Sequence, residues 1–189
     1  MYYWFYKFNL TMIHDSSFVD NNVIIGNNTK VWHFTHIMKN SEIGDNCSIG
    51  QNVFIGEGVK IGNNVKIQNN VSLYSGVVCE DDVFLGPSCV FTNVINPRSL
   101  INRRSEFKET LLKKGCSVGA NATIICGNEI GEFSFVGAGS VVTNNIASFS
   151  LVVGNPAKHL YYVSKFGEKI DFDSNGFWYC DKMKINYRL

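Results

Sequence analysis

Large apolar residues recur every six positions from Val19 to Phe91: Val19, Ile25, Val31, Ile37, Ile43, Ile49, Ile55, Ile61, Ile67, Leu73, Cys79, Leu85 and Phe91. A second track, two residues earlier, reads Val23, Thr29, Thr35, Ser41, Cys47, Val53, Val59, Val65, Val71, Val77, Val83 and Cys89, all small or β-branched. The residue after the large one is often glycine, as at Gly26, Gly44, Gly50, Gly56, Gly62 and Gly86. A helical stripe recurs at three and four residues, so this period excludes a helix. Two inward residues in alternation, followed by a glycine, predict short strands joined by tight corners. The pattern predicts an all-β fold: a parallel β-helix whose sides are hexapeptide repeats.

Both tracks fail in VINPRSLINRRSEFKETLLKKG (94–115) and resume at Val118, continuing through Ile124, Ile130, Val136 and Val142. This predicts a long loop inserted at 94–115, in a prism of about six turns and about 29 Å. Residues 1–16 read as an N-terminal extension, with Met12 a candidate native start, and 17–155 as the β-helix domain. The ends of such a stack are open edges that need covers. Residues 156–189 are expected to supply one, as a short helix over PAKHLYYVSKFG (156–167) and a tail with a Ser174-Asn175-Gly176 hairpin turn.

Composition narrows the function. A net charge of +1 with 45% apolar residues gives no global field for nucleic acid or a membrane surface. The aromatic first eleven residues are too short to span a bilayer and lack a small-residue cleavage site. The charge is concentrated in the inserted loop, where Arg98, Arg103, Arg104, Lys108, Lys113 and Lys114 face only Glu106 and Glu109. Such a loop is expected to meet an anionic ligand such as a diphosphate. Four of the six cysteines (Cys47, Cys79, Cys89 and Cys116) lie on the inward tracks and none forms a CxxC pair. They read as buried, reduced thiols, which places the chain in the cytoplasm. The four histidines show no spacing that repeats across turns, so no metal site of the γ-carbonic anhydrase kind is expected.

The closing segments GANATIICGNEIG, FVGAGSVVT and VVGNPAK, following the repeats in order, resemble the left-handed β-helix acyltransferases over about residues 17–158. The segments VWHFTHI (31–37), KIQNNVSLYSGV (66–77) and GPSCVFTNVINPRSL (86–100), with the tail YVSKFGEKI, are similar to those of the bacterial UDP-2-acetamido-3-amino-2,3-dideoxy-glucuronate N-acetyltransferases. That resemblance implies an acetyl-CoA-dependent enzyme, a homotrimer, that acetylates the 3-amino group of a nucleotide-linked sugar in surface-polysaccharide (lipopolysaccharide or O-antigen) biosynthesis. Enzymes acting on dTDP-linked 3-amino-3,6-dideoxyhexoses share the FTN and PRS elements and are the alternative. A non-catalytic β-helix scaffold is a third reading.

Acetyl transfer from a thioester to an amine needs close positioning and N–H donors for the tetrahedral oxyanion. Asn93, where the chain leaves the prism wall, is the candidate to accept a hydrogen bond from the amine; the resemblance implies the same contact, with the coenzyme sulfur as proton acceptor. His33 is the candidate base, and His36 also faces outward. Gln68, Asn69 and Tyr74 on the corners, with Asn96 and Arg98 in the loop, are expected to contact the substrate. Gly119, Ala120, Gly137, Ala138 and Gly139 would let pantetheine approach the backbone, and Lys158 would meet the coenzyme phosphates.

Overall fold

The computed structural model describes residues 11–188. The tracks form a triangular prism of stacked coils, eighteen residues to a coil, with each strand pairing in parallel with its equivalent one coil away, as in Lys30↔Ser48↔Lys66. The first face carries Met12–Ile13, Lys30–Val31, Ser48–Ile49, Lys66–Ile67, Phe84–Leu85, Ser117–Val118, Phe135–Val136 and Ser150–Val153. The second carries Phe18–Val19, His36–Ile37, Phe54–Ile55, Ser72–Leu73, Val90–Phe91, Thr123–Ile124 and Val141–Val142. The third carries Ile24–Ile25, Glu42–Ile43, Lys60–Ile61, Val77–Cys79, Thr110–Leu112 and Glu129–Ile130, and a bridge from Ile130 to Ile146 extends it.

Both tracks point inward. From Val31 to Val142 every large-track residue is buried, most of them completely. Thr29 and Thr35 on the small track are satisfied by the coil above, where Thr29 Oγ1 donates to the Gly44 carbonyl at 2.7 Å and Thr35 Oγ1 to the Gly50 carbonyl at 2.9 Å, whereas the buried Thr110 Oγ1 has no partner among the described residues. Such bonds are why a polar residue is tolerated inside the prism.

The corners work differently from expectation. The left-handed residue is the third after each large one and is usually asparagine; Asn22, Asn28, Asn40, Asn46, Asn52, Asn64 and Asn70 all have φ between 55° and 61°. Asparagine tolerates that region better than other side chains. The glycines directly after the large residue serve close approach instead. A Cβ on Gly62 would lie 2.7 Å from the Asp81 nitrogen in the next coil.

The turn count and two boundaries change. The stack has about eight turns rather than six, because Met12–Ile13 already forms a rung against Lys30–Val31 and Ser150–Val153 adds a last one. The coil thus starts before residue 17; residues 1–10 lie outside the described residues. The inserted loop ends earlier than 115: Thr110–Leu112 pairs with Val77–Cys79 as the next rung of the third face. Twenty-one residues separate Phe91 from Leu112 where six suffice, so fifteen are added within a single side.

The expected C-terminal helix is a strand. Lys158–Tyr162 runs antiparallel to Ser150–Val153 and covers the open edge of the first face. Its aromatic run favours a pleated edge over a helix once an unpaired edge is beside it. The tail does form a hairpin, Phe177–Cys180 against Ile185–Arg188, but it turns at Asp181–Lys184. Ser174-Asn175-Gly176 instead makes an Asx turn before the hairpin, with Asp173 Oδ1 accepting from the Asn175 and Phe177 amides at 2.8 and 2.9 Å.

Candidate active site

The corner between the second and third faces launches the inserted loop. Phe91 is locked in the core, and Thr92 Oγ1 accepts a hydrogen bond from the Cys126 amide of the coil above at 2.9 Å. The Asn93 carbonyl accepts from the Lys108 amide at 2.9 Å, which ties the two ends of the loop together. Asn93 is therefore held between two backbone anchors. Tyr74 lies on the same corner one coil below, 39% exposed.

Beyond Asn93 the loop carries a shallow, open depression of about 430 Å³ lined by residues that include Val94, Pro97, Arg98, Ile101, Arg104 and Phe107. Arg103 Nη1 donates to both carboxylate oxygens of Glu106 at 2.7 and 2.8 Å across a short 3-10 turn, Arg104–Glu106. Asn102 Oδ1 accepts from the Arg104 amide at 3.1 Å. Lys113 pairs with Glu129 at 2.7 Å and Lys114 with Asp82 at 3.9 Å. Arg98, Arg104 and Lys108 are the loop cations left without an acidic partner among the described residues. Arg98 is expected from the sequence; Arg104 is not, because only the structure separates it from its paired neighbour Arg103. Asn96 is exposed on the same loop.

The corner between the first and second faces carries the coenzyme candidates. At this corner the Gln51 amide donates to Asn69 Oδ1 of the coil above at 2.8 Å. At the third corner such bonds run through successive coils: the Asn27 amide to Asp45 at 2.6 Å, Asp45 to Asn63 at 2.8 Å and Asn63 to Asp81 at 2.7 Å. Above Asn69 the equivalent residues are Pro87, Ala120 and Ala138, which offer no acceptor. The amides of Asn69, Ala120 and Ala138 consequently have no acceptor among the described residues. Sequence reasoning takes Ala120 and Ala138 only as small residues. The alanines that stand where lower coils have Asn or Asp are the available signal.

Gly119 is required for coil packing, since a Cβ there would meet the Ala138 nitrogen at 2.5 Å. Gly137 would likewise meet Val153 Cγ1 at 2.7 Å, whereas Gly139 opens to solvent at φ +69°. Lys158 is exposed opposite Val153, where the chain leaves this corner. Gln68 and Asn69 sit lower on the same corner, and the ladder already occupies the Asn69 carbonyl oxygen.

His33 is not brought to Asn93. It lies three coils lower, about 14 Å along the stack at about 4.8 Å per coil, and on the opposite edge of the second face. Its ring stacks on His14 with centroids 3.5 Å apart. His36 is hydrogen-bonded to Asp20 at 3.0 Å, and this contact, foremost, holds the Asp20 carboxyl below its ordinary range. The remaining candidates share one band of height. Tyr74 and Asn93 lie on one edge of the second face; Gln68, Asn69 and the Gly119–Gly139 corner lie on the other.

The face between them is free of formal charge. Its outward residues are Phe18, His36, Phe54, Ser72, Val90, Thr123 and Val141, whereas the first face shows Lys30 and Lys66 and the third Glu42, Lys60 and Glu129. All six cysteines are buried and free. Burial pushes the Cys89 and Cys116 thiols up to about 12. No group of three or more metal-ligating side chains occurs among the described residues, and no helix there is long and apolar enough to cross a membrane.

Repeat and coil together define a β-helix of hexapeptide repeats. The bacterial transferase hexapeptide model (six repeats) matches residues 22–57, and the hexapeptide repeat of succinyl-transferase matches 42–75 and 114–144. Over 69 residues the chain is 49% identical to a dTDP-3-amino-3,6-dideoxy-alpha-D-galactopyranose 3-N-acetyltransferase of Aneurinibacillus thermoaerophilus, covering 36% of each chain. The chain thus spans about a third of that curated relative. A hexapeptide-repeat acetyltransferase of Vibrio cholerae complexed with acetyl coenzyme A superimposes with TM-score 0.51 at 26% identity, over 61% of this chain and 70% of that one. A point mutant of GDP-perosamine N-acetyl transferase from Caulobacter crescentus, in complex with CoA and GDP-perosamine, has the same fold (TM-score 0.53, 21% identity, 80% and 57% coverage).

Proposed function

We propose that the chain is an acetyl-CoA-dependent N-acetyltransferase for the 3-amino group of a nucleotide-linked sugar, working as a homotrimer in the cytoplasm. The observation that carries this reading is the pair of unpaired backbone amides at Ala120 and Ala138, one and two coils above the Asn93 corner. Donors one coil apart, on small residues that leave the backbone open, suit the amide carbonyls of a pantetheine arm. Lys158, where the chain leaves that corner, suits the coenzyme phosphates.

Asn93 accepts a hydrogen bond from the sugar amine and aims the nitrogen lone pair at the thioester carbon. The C–N bond forms and the C–S bond breaks, with the amine proton passing to the departing sulfur. An unpaired corner amide stabilises the intermediate oxyanion. Tyr74, Asn96 and Arg98 hold the sugar and diphosphate from the loop side, with Gln68 and Asn69 opposite. No base is assigned to His33, whose position is too low on the stack.

The second face, uncharged and with Phe18 66% and Val90 49% exposed, supports packing against another copy. Such packing would bring the loop corner of one subunit to the glycine corner of the next, closing a gap that one chain leaves open. Two substrates remain in view. The IQNNVS and NPRS wordings resemble the UDP-linked glucuronate enzymes, and the 49% identical relative favours a dTDP-linked 3-amino-3,6-dideoxyhexose. A thiol-release assay with acetyl-CoA and a panel of UDP- and dTDP-linked 3-amino sugars tests both. Absence of thiol release with every member would remove the enzymatic reading.

A further inference from the structure

We propose that Lys108 is the charge that keeps the bound sugar amine neutral and able to attack. This rests on the reading of the chain as an amino-sugar N-acetyltransferase and adds the group that sets the protonation state of the amine. An amine attacks a thioester only through a free lone pair, so its ammonium form is unreactive. A cation fixed nearby disfavours a second positive charge and holds the neutral form.

Backbone bonding puts Lys108 beside Asn93. The Lys108 amide donates to the Asn93 carbonyl at 2.9 Å, so the residues on either side of the loop share one corner. The Lys108 side chain then runs over the coil above, where a Cβ on Gly127 would lie 3.1 Å from Lys108 Cδ. Gly127, at φ +85°, thus leaves the space that the lysine stem takes. Lys108 is exposed and has no acidic partner among the described residues, so its charge is not cancelled.

The neighbouring ionisable groups leave that field in place. Glu109 lies the other way, its Cγ 3.8 Å from where a Gly76 Cβ would stand in the coil below. Glu129 of the coil above is bound to Lys113 at 2.7 Å on the third face. Tyr74 in the coil below and the buried Cys126 in the coil above complete the ionisable groups at this corner of the three adjoining coils.

The test is the pH dependence of kcat and of kcat/KM for the wild type, Lys108→Met and Lys108→Arg. The full chain is used, with acetyl-CoA and the members of the UDP- and dTDP-linked panel that it acetylates. Methionine keeps a stem over Gly127 and removes only the charge, and the backbone bond to Asn93 survives in both variants. The acid limb of kcat reports the amine in the bound complex, whereas that of kcat/KM reports the free substrate and enzyme. In Lys108→Met the kcat limb is expected to move up by about one pH unit, with kcat below the limb reduced about tenfold. The kcat/KM limb is expected to stay in place, and Lys108→Arg to keep the wild-type kcat limb. A merely structural role would lower kcat at every pH without moving its limb. An unmoved kcat limb in Lys108→Met would therefore overturn the assignment while leaving the acetyltransferase reading intact, as would a limb in Lys108→Arg displaced like that of the methionine variant. Absence of acetyl transfer by the wild type to every amino sugar would remove the enzymatic reading and this assignment with it.

Discussion

Restoring the missing rung of the side-chain ladder should stabilise the fold and weaken the coenzyme at once. In Ala138→Asn the new amide oxygen stands over the Ala120 N–H as Asn69 Oδ1 stands over the Gln51 N–H, where the distance is 2.8 Å. Ala138 is absent from the residues with positive φ, so asparagine fits its backbone without strain. One added hydrogen bond contributes about 1 kcal/mol net, equivalent to a rise in Tm of about 2–4 °C for a chain of this size. The same bond removes a donor from the pantetheine track, so the KM for acetyl-CoA should rise about tenfold, the equivalent of about 1.4 kcal/mol. The control is Ala120→Asn. The residue below it is Pro87, which has no N–H, so no stabilisation is expected. Thermal melting and initial rates at varied acetyl-CoA read both effects. A stabilised Ala138→Asn with unaltered coenzyme KM would show that the open amides are not the coenzyme track.

Other expectations follow from the same geometry. Asn93→Ala should lower kcat/KM by about tenfold or more while coenzyme affinity holds, measured by steady-state kinetics and coenzyme titration. Thr92→Val removes the acceptor of the Cys126 amide and should cost about 1–2 kcal/mol in urea unfolding, with Thr92→Ser recovering most of it. Gly62→Ala must push adjacent coils apart by several tenths of an ångström, stretching neighbouring 2.7–2.8 Å bonds, and should cost about 3 kcal/mol in the same urea assay. Raised thiols at Cys89 and Cys116 ionise more readily in the unfolded chain, so stability is complete below about pH 9 and falls as pH climbs toward 12. Urea titrations across that range test this, and flat stability would contradict it.

Much of the architecture is legible because a period of six acts on every coil alike. Val31, Ile37 and Ile43 are buried for the same reason as Val118, Ile124 and Ile130. The fifth rung of the third face is hidden because Thr110–Leu112 follows a loop whose length obscures the phase. The C-terminal strand is hidden because its partner is the last rung, information that PAKHLYYVSKFG does not contain. Asn93 can be picked out by its place at the break in the repeat. His33 misleads because outward pointing is legible from the period, whereas nearness to Asn93 also depends on height along the stack. Arg104 needs the Arg103–Glu106 pair to be seen before its own freedom means anything.

The loop departs after Phe91 and returns at Thr110 with no slip between neighbouring rungs: Val78 and Leu111 pair as if nothing intervened. Its length is therefore invisible to the stack. Exchanging residues 94–109 for a corresponding excursion from another β-helix would be a cassette operation, altering what the loop presents while the scaffold beneath keeps its register.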